Sequence, residues 1–264
     1  MGLGIVLSLA KTLRQEGNRG EALPDLFKSF TVNGVRFRRG GLHLIAGQPG
    51  SYKTQLALAL ADAWKLPTLY FSNDSDETTV ASRMIARRMR VNTERIEERM
   101  HREPKWASSQ LTDLDHIKWN FSPNPTLPEV EEELQAFNEV FGTPPVLVVV
   151  DVLMKMNYVE DSEHTTAIRI TDYLAGIARD YSACVLLVHH ASEGVPGNPV
   201  PPRSAVLQKV SQFPSLILNV APMPWTGDLA ICAVKNRHGK QDPSGKDHFI
   251  LKAYPAQCTF EDMP

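Results

Sequence analysis

The eight residues GQPGSYKT at positions 47–54 have the composition of a loop that cradles phosphate. Gly47 and Gly50, with Gln48, Pro49 and Ser51 around them, let the chain close tightly enough for backbone N–H groups to converge on phosphate oxygens. Lys53 supplies a cation for the β- and γ-phosphates of a nucleotide, and Thr54 a hydroxyl for a Mg²⁺ ion. Tyr52 stands directly before the lysine, where the common pattern has Gly, so a departure from the usual backbone geometry is expected there. A second acidic signal comes from PPVLVVVDVL, an apolar run that ends in Asp151. A carboxylate at the C-terminal end of a parallel strand reaches the Mg²⁺ of a nucleotide bound at the switch point of the sheet.

These residues need a strand before the loop, a helix after it, and a sheet that brings Asp151 alongside. LHLIA reads as the strand and Lys53 to Trp64 as the helix, whose N-terminus adds a favourable dipole field. The alternation continues with TLYFS, a helix from Thr78 to Met89, IKWNF, a helix near Glu129 to Phe141, Val146 to Val150, a helix near Thr165 to Asp180, and CVLLV. That order predicts an α/β fold of parallel βαβ units. SLILNV, LAICAV and HFILKA follow without intervening helices, which predicts an antiparallel meander at one edge. Pro-rich segments punctuate the chain without a composition shift that would mark a second catalytic domain. Residues 1–30 read as an N-terminal helical arm, with Ile5, Val6, Leu9 and Leu13 on one side of a helix, and residues 31–264 as the main domain.

Composition narrows the function classes. Of 264 residues, 42% are hydrophobic and 22% charged, and 28 Lys and Arg against 30 Asp and Glu leave a net charge of −2. Wholesale disorder is excluded, and the charge balance argues against coating of DNA through bulk charge while permitting a focused basic surface. The apolar start from Met1 to Ala10 is too short to span a bilayer. Cys184, Cys232 and Cys258 lie in apolar β-prone runs without zinc-site spacing, as expected of buried reduced thiols in a cytoplasmic protein.

Taken in order, GQPGSYKT, TLYFSNDSDETTVASRM, VVVDVLMKM, CVLLVHHASEG and AVKNRHG resemble the RecA/DnaB-like ring ATPases, most closely the single-domain RepA-type replicative helicases of plasmids and phages. The resemblance spans about Gly40 to Phe260. It implies a RecA-like P-loop core, ATP and Mg²⁺ as ligands, and a homo-oligomer, expected to be a hexameric ring in a bacterial cell. It also implies roles for further residues. Asp74 takes the place of the carboxylate that activates the attacking water, a residue usually Glu, with Asp76 or Glu77 as substitutes and helix capping as the alternative use of Asp74 or Asp76. His189 and His190 stand where the family has a γ-phosphate sensor, and His189 is expected to face the nucleotide. Lys235 and Arg237, flanking Asn236, resemble the cations inserted into the neighbouring subunit's site, where they offset developing charge. Arg203 is a further candidate for that role.

In such a ring the connections after Asp151 and after Ala191 face a central pore. Lys155, Arg203 and Lys209 are the candidate contacts to single-stranded DNA, and Tyr158 is the sole aromatic residue in these loops, so backbone tracking without base specificity is expected. The basic run Arg83, Arg87, Arg88, Arg90 leads into residues interleaved with Glu and reads as an exposed ion-paired helical surface. Two other functions share this core: a single-strand-binding recombination mediator that does not unwind duplexes, and an ATP-gated regulatory protein that binds no DNA.

Overall fold

The computed structural model describes residues 20–157, 163–194 and 197–264. Its elements are α1 (Lys28–Val32), β1 (Leu42–Gly47), α2 (Lys53–Trp64), β2 (Thr68–Ser72), α3 (Glu77–Met89), α4 (Thr93–Arg102), α5 (Pro104–Ser109), β3 (Ile117–Asn120), α6 (Leu127–Phe141), β4 (Leu147–Asp151), α7 (Glu163–Asp180), β5 (Cys184–His190), β6 (Leu216–Pro222), β7 (Leu229–Asn236), β8 (Phe249–Tyr254) and β9 (Thr259–Asp262). They form one nine-stranded sheet in the order β3-β2-β4-β5-β1-β6-β7-β8-β9. The first six strands in that order, β3 to β6, pair in parallel, and β7, β8 and β9 continue from β6 antiparallel, as the sequence predicts.

Every residue of β1, β2 and β4 is buried, the signature of strands covered on both faces, which is why they read as unbroken apolar runs. Alternate residues feed two cores. Ile45, Val149, Leu186 and Val188 pack with Leu56 and Leu60 of α2 on one face. Leu44, Val148, Val150 and Leu187 pack with Leu134 of α6 and Leu174 of α7 on the other. Register brings the strand ends to a common edge: Ser72 pairs with Asp151, Asp151 with Val188, and Gly47 with His190.

Two expectations are corrected. Residues 20–30 pack on the core rather than forming an arm: Trp64 Nε1 donates to the Pro24 carbonyl at 2.9 Å, and Leu23 and Phe30 are buried. Leu23 and Phe30 join the core that α2 shares, with the Phe30 ring edge-on to Phe249 at 5.7 Å, so they gain more from docking than from solvent. Residues 1–19, with the apolar helix expected there, lie outside the described residues. The second correction concerns the arginine run. Arg99 with Glu103 and Arg102 with Glu98 do form exposed pairs on α4, but Arg87 and Arg88 turn inward onto Asp62 of α2. Arg88 Nη2 lies 2.9 Å from Asp62 Oδ1 and Arg87 Nε 3.3 Å from Oδ2, and the three side chains are only 18%, 16% and 10% exposed. Burial raises the Asp62 carboxyl, yet hydrogen bonds from Arg88 and Lys65 outweigh it and hold the group below its usual range. Asp62→Ala removes the carboxylate shared by two largely buried guanidinium groups, leaving Arg88 with Asp113 and the Gln110 carbonyl and Arg87 with backbone carbonyls alone. It is expected to destabilise the fold by about 3 kcal/mol, the low end for a broken buried pair because some solvent still reaches both arginines. Urea unfolding checks this, and a loss below about 1 kcal/mol would show the clamp to be superficial.

Cys184, Cys232 and Cys258 are free and buried. Among the described residues no helix is long and apolar enough to cross a membrane.

Candidate nucleotide-binding site

At the C-terminal edge of the sheet an open cleft of ≈ 410 Å³ is lined by Pro49, Gly50, Ser51, Tyr52, Lys53 and Thr54 from the loop between β1 and α2, with Asp74, Arg83, Asp151 and His190 around it. The volume is that of a small-ligand site. Gly47 is required by crowding: a Cβ there would lie 2.4 Å from the Val220 carbonyl and 2.5 Å from Ser51 Oγ. Tyr52 is a finding against expectation. It adopts φ 61°, ψ 16°, the left-handed conformation a glycine takes readily, so the loop keeps its glycine-like path despite the side chain. Such a conformation costs a non-glycine residue on the order of 1 kcal/mol. The Tyr52 side chain packs against the α2-side core, which offsets part of that cost.

Lys53 is buried, and its ammonium folds back to donate to the Gln48 carbonyl and to Ser51 Oγ at 3.3 Å. Burial pulls its pKa down to about 8, against the attraction of Asp151 and Asp74. Thr54 Oγ1 donates to Asp151 Oδ1 at 3.1 Å, and Tyr70 Oη donates to Asp151 Oδ2 at 2.9 Å. Burial raises Asp151 to about 6, since these two hydroxyls only partly compensate a charge cut off from water. The donor set fits a hard divalent cation: a hydroxyl and a carboxylate oxygen sit 3.1 Å apart, close to the roughly 3.0 Å between adjacent ligands of an octahedral Mg²⁺ with about 2.1 Å bonds. Thr54 and Asp151, named separately from the sequence, are thus brought together. Tyr70 was missed. Its signal was a phenol hydroxyl in the middle of the buried run TLYFS, which needs a partner once folded.

The acidic stretch after β2 divides by role. Asp76 caps α3, accepting from the Thr79 backbone N–H at 2.9 Å, and that bond lowers its pKa. Glu77 follows in the first turn of α3. Asp74 lines the cleft, so of the three carboxylates only Asp74 is placed beside Lys53 and Asp151.

The histidine expectation is reversed. His190 lines the cleft, whereas His189 points through the opposite face of β5, is fully buried, and donates from Nε2 to the Leu207 carbonyl at 3.1 Å. The pleat dictates this: Val188 and His190 share the α2 face, and the residue between them must point away. Burial keeps both imidazoles neutral, His189 at about 4 and His190 below its ordinary value. His190 Nδ1 is buried without a partner among the described residues, a free polar atom at the rim of the phosphate site.

Arg83 is the other residue that sequence reasoning misplaced. Arg87 and Arg88 are held by Asp62, but Arg83 faces the cleft and donates from Nη1 to Ser75 Oγ at 3.2 Å. Its spacing from Val80 and Arg87 along the inward stripe of α3 was the available signal.

Lys235, Arg237 and Arg203 do not line the cleft of their own chain. Lys235 Nζ donates to the Ser211 and Gln212 carbonyls, each at 2.7 Å, and Arg237 Nη2 to the Gln212 carbonyl at 3.3 Å. Burial first, then the nearby charges of Arg237 and Arg203, lower Lys235 to about 8. The three cations therefore cluster. Lys209 is exposed on the Leu207–Gln212 turn with φ 53°, and Lys155 sits 3.9 Å from Asp74 Oδ1. Tyr158 lies outside the described residues.

Comparison with known proteins follows the same lines. The family model for the DnaB-like helicase C-terminal domain matches residues 26–198. The Gene 65 protein of Mycobacterium phage L5 is 31% identical over 251 residues, spanning 92% of this chain and 93% of that protein. The replicative DNA helicase DnaB of Nostoc sp. is 26% identical over 193 residues, 69% of this chain and 22% of that helicase. Among solved structures, the ATPase domain of G40P matches with a TM-score of 0.79 at 16% identity, covering 97% of this chain and 95% of that one, a likeness of fold.

Proposed function

The chain belongs to the DnaB-like helicase C-terminal domain family, and from that premise we propose that it is an ATP-driven, ring-forming motor of the replicative helicase type that moves along single-stranded DNA. The observation that carries this reading is the split of the charged machinery. Lys53, Thr54, Asp74, Arg83, Asp151 and His190 surround one cleft, while Lys235, Arg237 and Arg203 gather outside it. A phosphoryl-transfer site needs cations opposite the transferring group; Arg83 is engaged with Ser75 on its own side of the cleft, so a neighbouring copy supplies them and each ATP site is composite. A closed ring, expected to be a hexamer, satisfies that geometry for every copy.

Thr54 and Asp151 would hold Mg²⁺, which, when bound, neutralises charge on the β- and γ-phosphate oxygens. Lys53 leaves its own loop carbonyl to hold the phosphates. Asp74 accepts the proton of the attacking water, and His190 offers its unpartnered nitrogen near the γ-phosphate. Arg203, Lys209 and Lys155 contact strand phosphates. The kinship with a mycobacteriophage protein supports the cytoplasm of an infected bacterium as the place of action.

Mixing tests the composite site. Arg237→Ala and Lys53→Ala are each expected to lack hydrolysis as pure proteins. In mixed oligomers some interfaces combine an intact Lys53 with an intact Arg237, and these are expected to recover up to about a quarter of wild-type hydrolysis at an equal ratio, from random assortment of two defects. No recovery, with co-assembly verified by mass, would place Arg237 in its own subunit's site or outside catalysis.

A further inference from the structure

Building on the reading of Asp74 and the strand-binding face given above, we propose that Lys155 is a positioning residue that couples the DNA strand to hydrolysis. Without a strand its ammonium engages the Asp74 carboxylate; a strand phosphate competes for the same ammonium and leaves Asp74 to the attacking water.

The backbone around Asp74 is fixed. Asn73 N–H donates to the Asp151 carbonyl at 2.7 Å, Ser72 Oγ to the Ser75 carbonyl at 2.7 Å, and Arg83 to Ser75 Oγ at 3.2 Å. Only the Asp74 side chain is left to move, and it is 55% exposed. Among the described residues its ion-pair partner is Lys155, at 3.9 Å. That lysine is also anchored at its root. It closes the turn Leu153–Lys155 that directly follows the Asp151 strand, flanked by buried Leu153 and Met156, so its ammonium swings from a fixed point. Lys155 is 51% exposed, so it can reach outward from the connection after β4 as well as inward to Asp74.

The weakness of the pair is what makes exchange feasible. An exposed ion pair at this separation holds its partners only marginally, whereas a nucleic-acid backbone presents a line of phosphates that displaces such contacts readily at low salt. A buried pair such as Asp62 with Arg88 could not be traded in this way. While the pair holds, the Asp74 carboxylate is directed to the ammonium through Oδ1 rather than to the attacking water.

The test is steady-state ATP hydrolysis by the full chain as wild type, Lys155→Met, Lys155→Arg and Asp74→Asn, each without DNA and with saturating oligo(dT), saturation being set by anisotropy for each variant. Lys155→Met is expected to raise the DNA-free rate about two- to fivefold, the range set by one exposed ion pair, and to bring the DNA stimulation close to one. Lys155→Arg, which keeps the charge, is expected to retain the wild-type pattern. A DNA-free rate of Lys155→Met equal to or below wild type overturns the coupling. So does full stimulation at saturating DNA, which makes Lys155 an ordinary phosphate contact. Hydrolysis by Asp74→Asn near the wild-type rate removes Asp74 from catalysis, and that result, independent of Lys155, overturns the underlying reading and the coupling with it.

Discussion

Lys53→Ala is expected to abolish ATP hydrolysis, lowering kcat by about 10²–10³ or more, the scale for loss of one charge-stabilising donor. The ammonium is buried in its loop with two oxygen acceptors, Gln48 O and Ser51 Oγ, and burial has already pulled its pKa to about 8. Bringing a triphosphate into the cleft reverses that shift, so the cation is most stabilised where negative charge is greatest. Alanine removes the cation, while the Gln48 carbonyl keeps the Ser51 hydroxyl and backbone N–H as donors, so the loss falls on catalysis rather than on the loop. The measurement is hydrolysis by wild type and Lys53→Ala, with and without single-stranded DNA, at two salt concentrations. Wild type is expected to be stimulated by DNA, less so at the higher salt, because phosphate contacts release counterions. Lys53→Ala is expected to be silent throughout. Wild-type hydrolysis indifferent to DNA at both salts would favour a regulatory ATPase over a motor.

Asp151→Asn is expected to do two opposed things: stabilise the nucleotide-free protein and eliminate magnesium-dependent hydrolysis. Burial raises the Asp151 carboxyl from an ordinary 3.8 to about 6, so the folded state holds its proton more tightly than the unfolded chain does. Stability from that proton is fully present below about 4 and is lost as pH rises through about 6. Above pH 6 the free protein therefore carries a burial penalty on the order of 3 kcal/mol. Asparagine keeps one acceptor for Tyr70, and the Thr54 hydroxyl can turn to accept from the new amide. At pH 8 the Tm of Asp151→Asn is expected to exceed wild type by roughly 5–10 °C, and at pH 4 the two should coincide. Magnesium stabilisation of wild type should fall on acidification through about 6, because the metal needs the ionised carboxylate. A variant that melts below wild type at pH 8, or still responds to Mg²⁺, would contradict the assignment.

The phosphate loop and the individual strands were legible in the sequence for one physical reason: both are local. GQPGSYKT places its backbone, lysine and threonine within eight consecutive residues, and central strands covered on both faces must be continuous apolar runs. Asp151 was legible too, as the carboxylate ending such a run. The family resemblance rested on these same segments, and the match over residues 26–198 bears out its DnaB-like core.

What the sequence could not decide depends on register and on which face a side chain presents. Whether His189 or His190 meets the nucleotide is set by the phase of the pleat in β5, and a shift of one residue exchanges them. Arg83, Arg87 and Arg88 are neighbours of one residue type, yet Asp62 on a different helix captures two and leaves the third at the cleft. Tyr52 could have distorted the loop, but packing holds it in the left-handed region that glycine would occupy. Tyr70 meets Asp151, and Lys155 meets Asp74, only because strands β2 and β4 lie side by side, and Thr54 reaches Asp151 from the start of α2 because β5 sets β1 beside β4. The sequence by itself determined the chemistry the chain carries and the strands that carry it; the tertiary structure decided which side chains share the cleft, because such pairings are made between segments that only packing brings into contact.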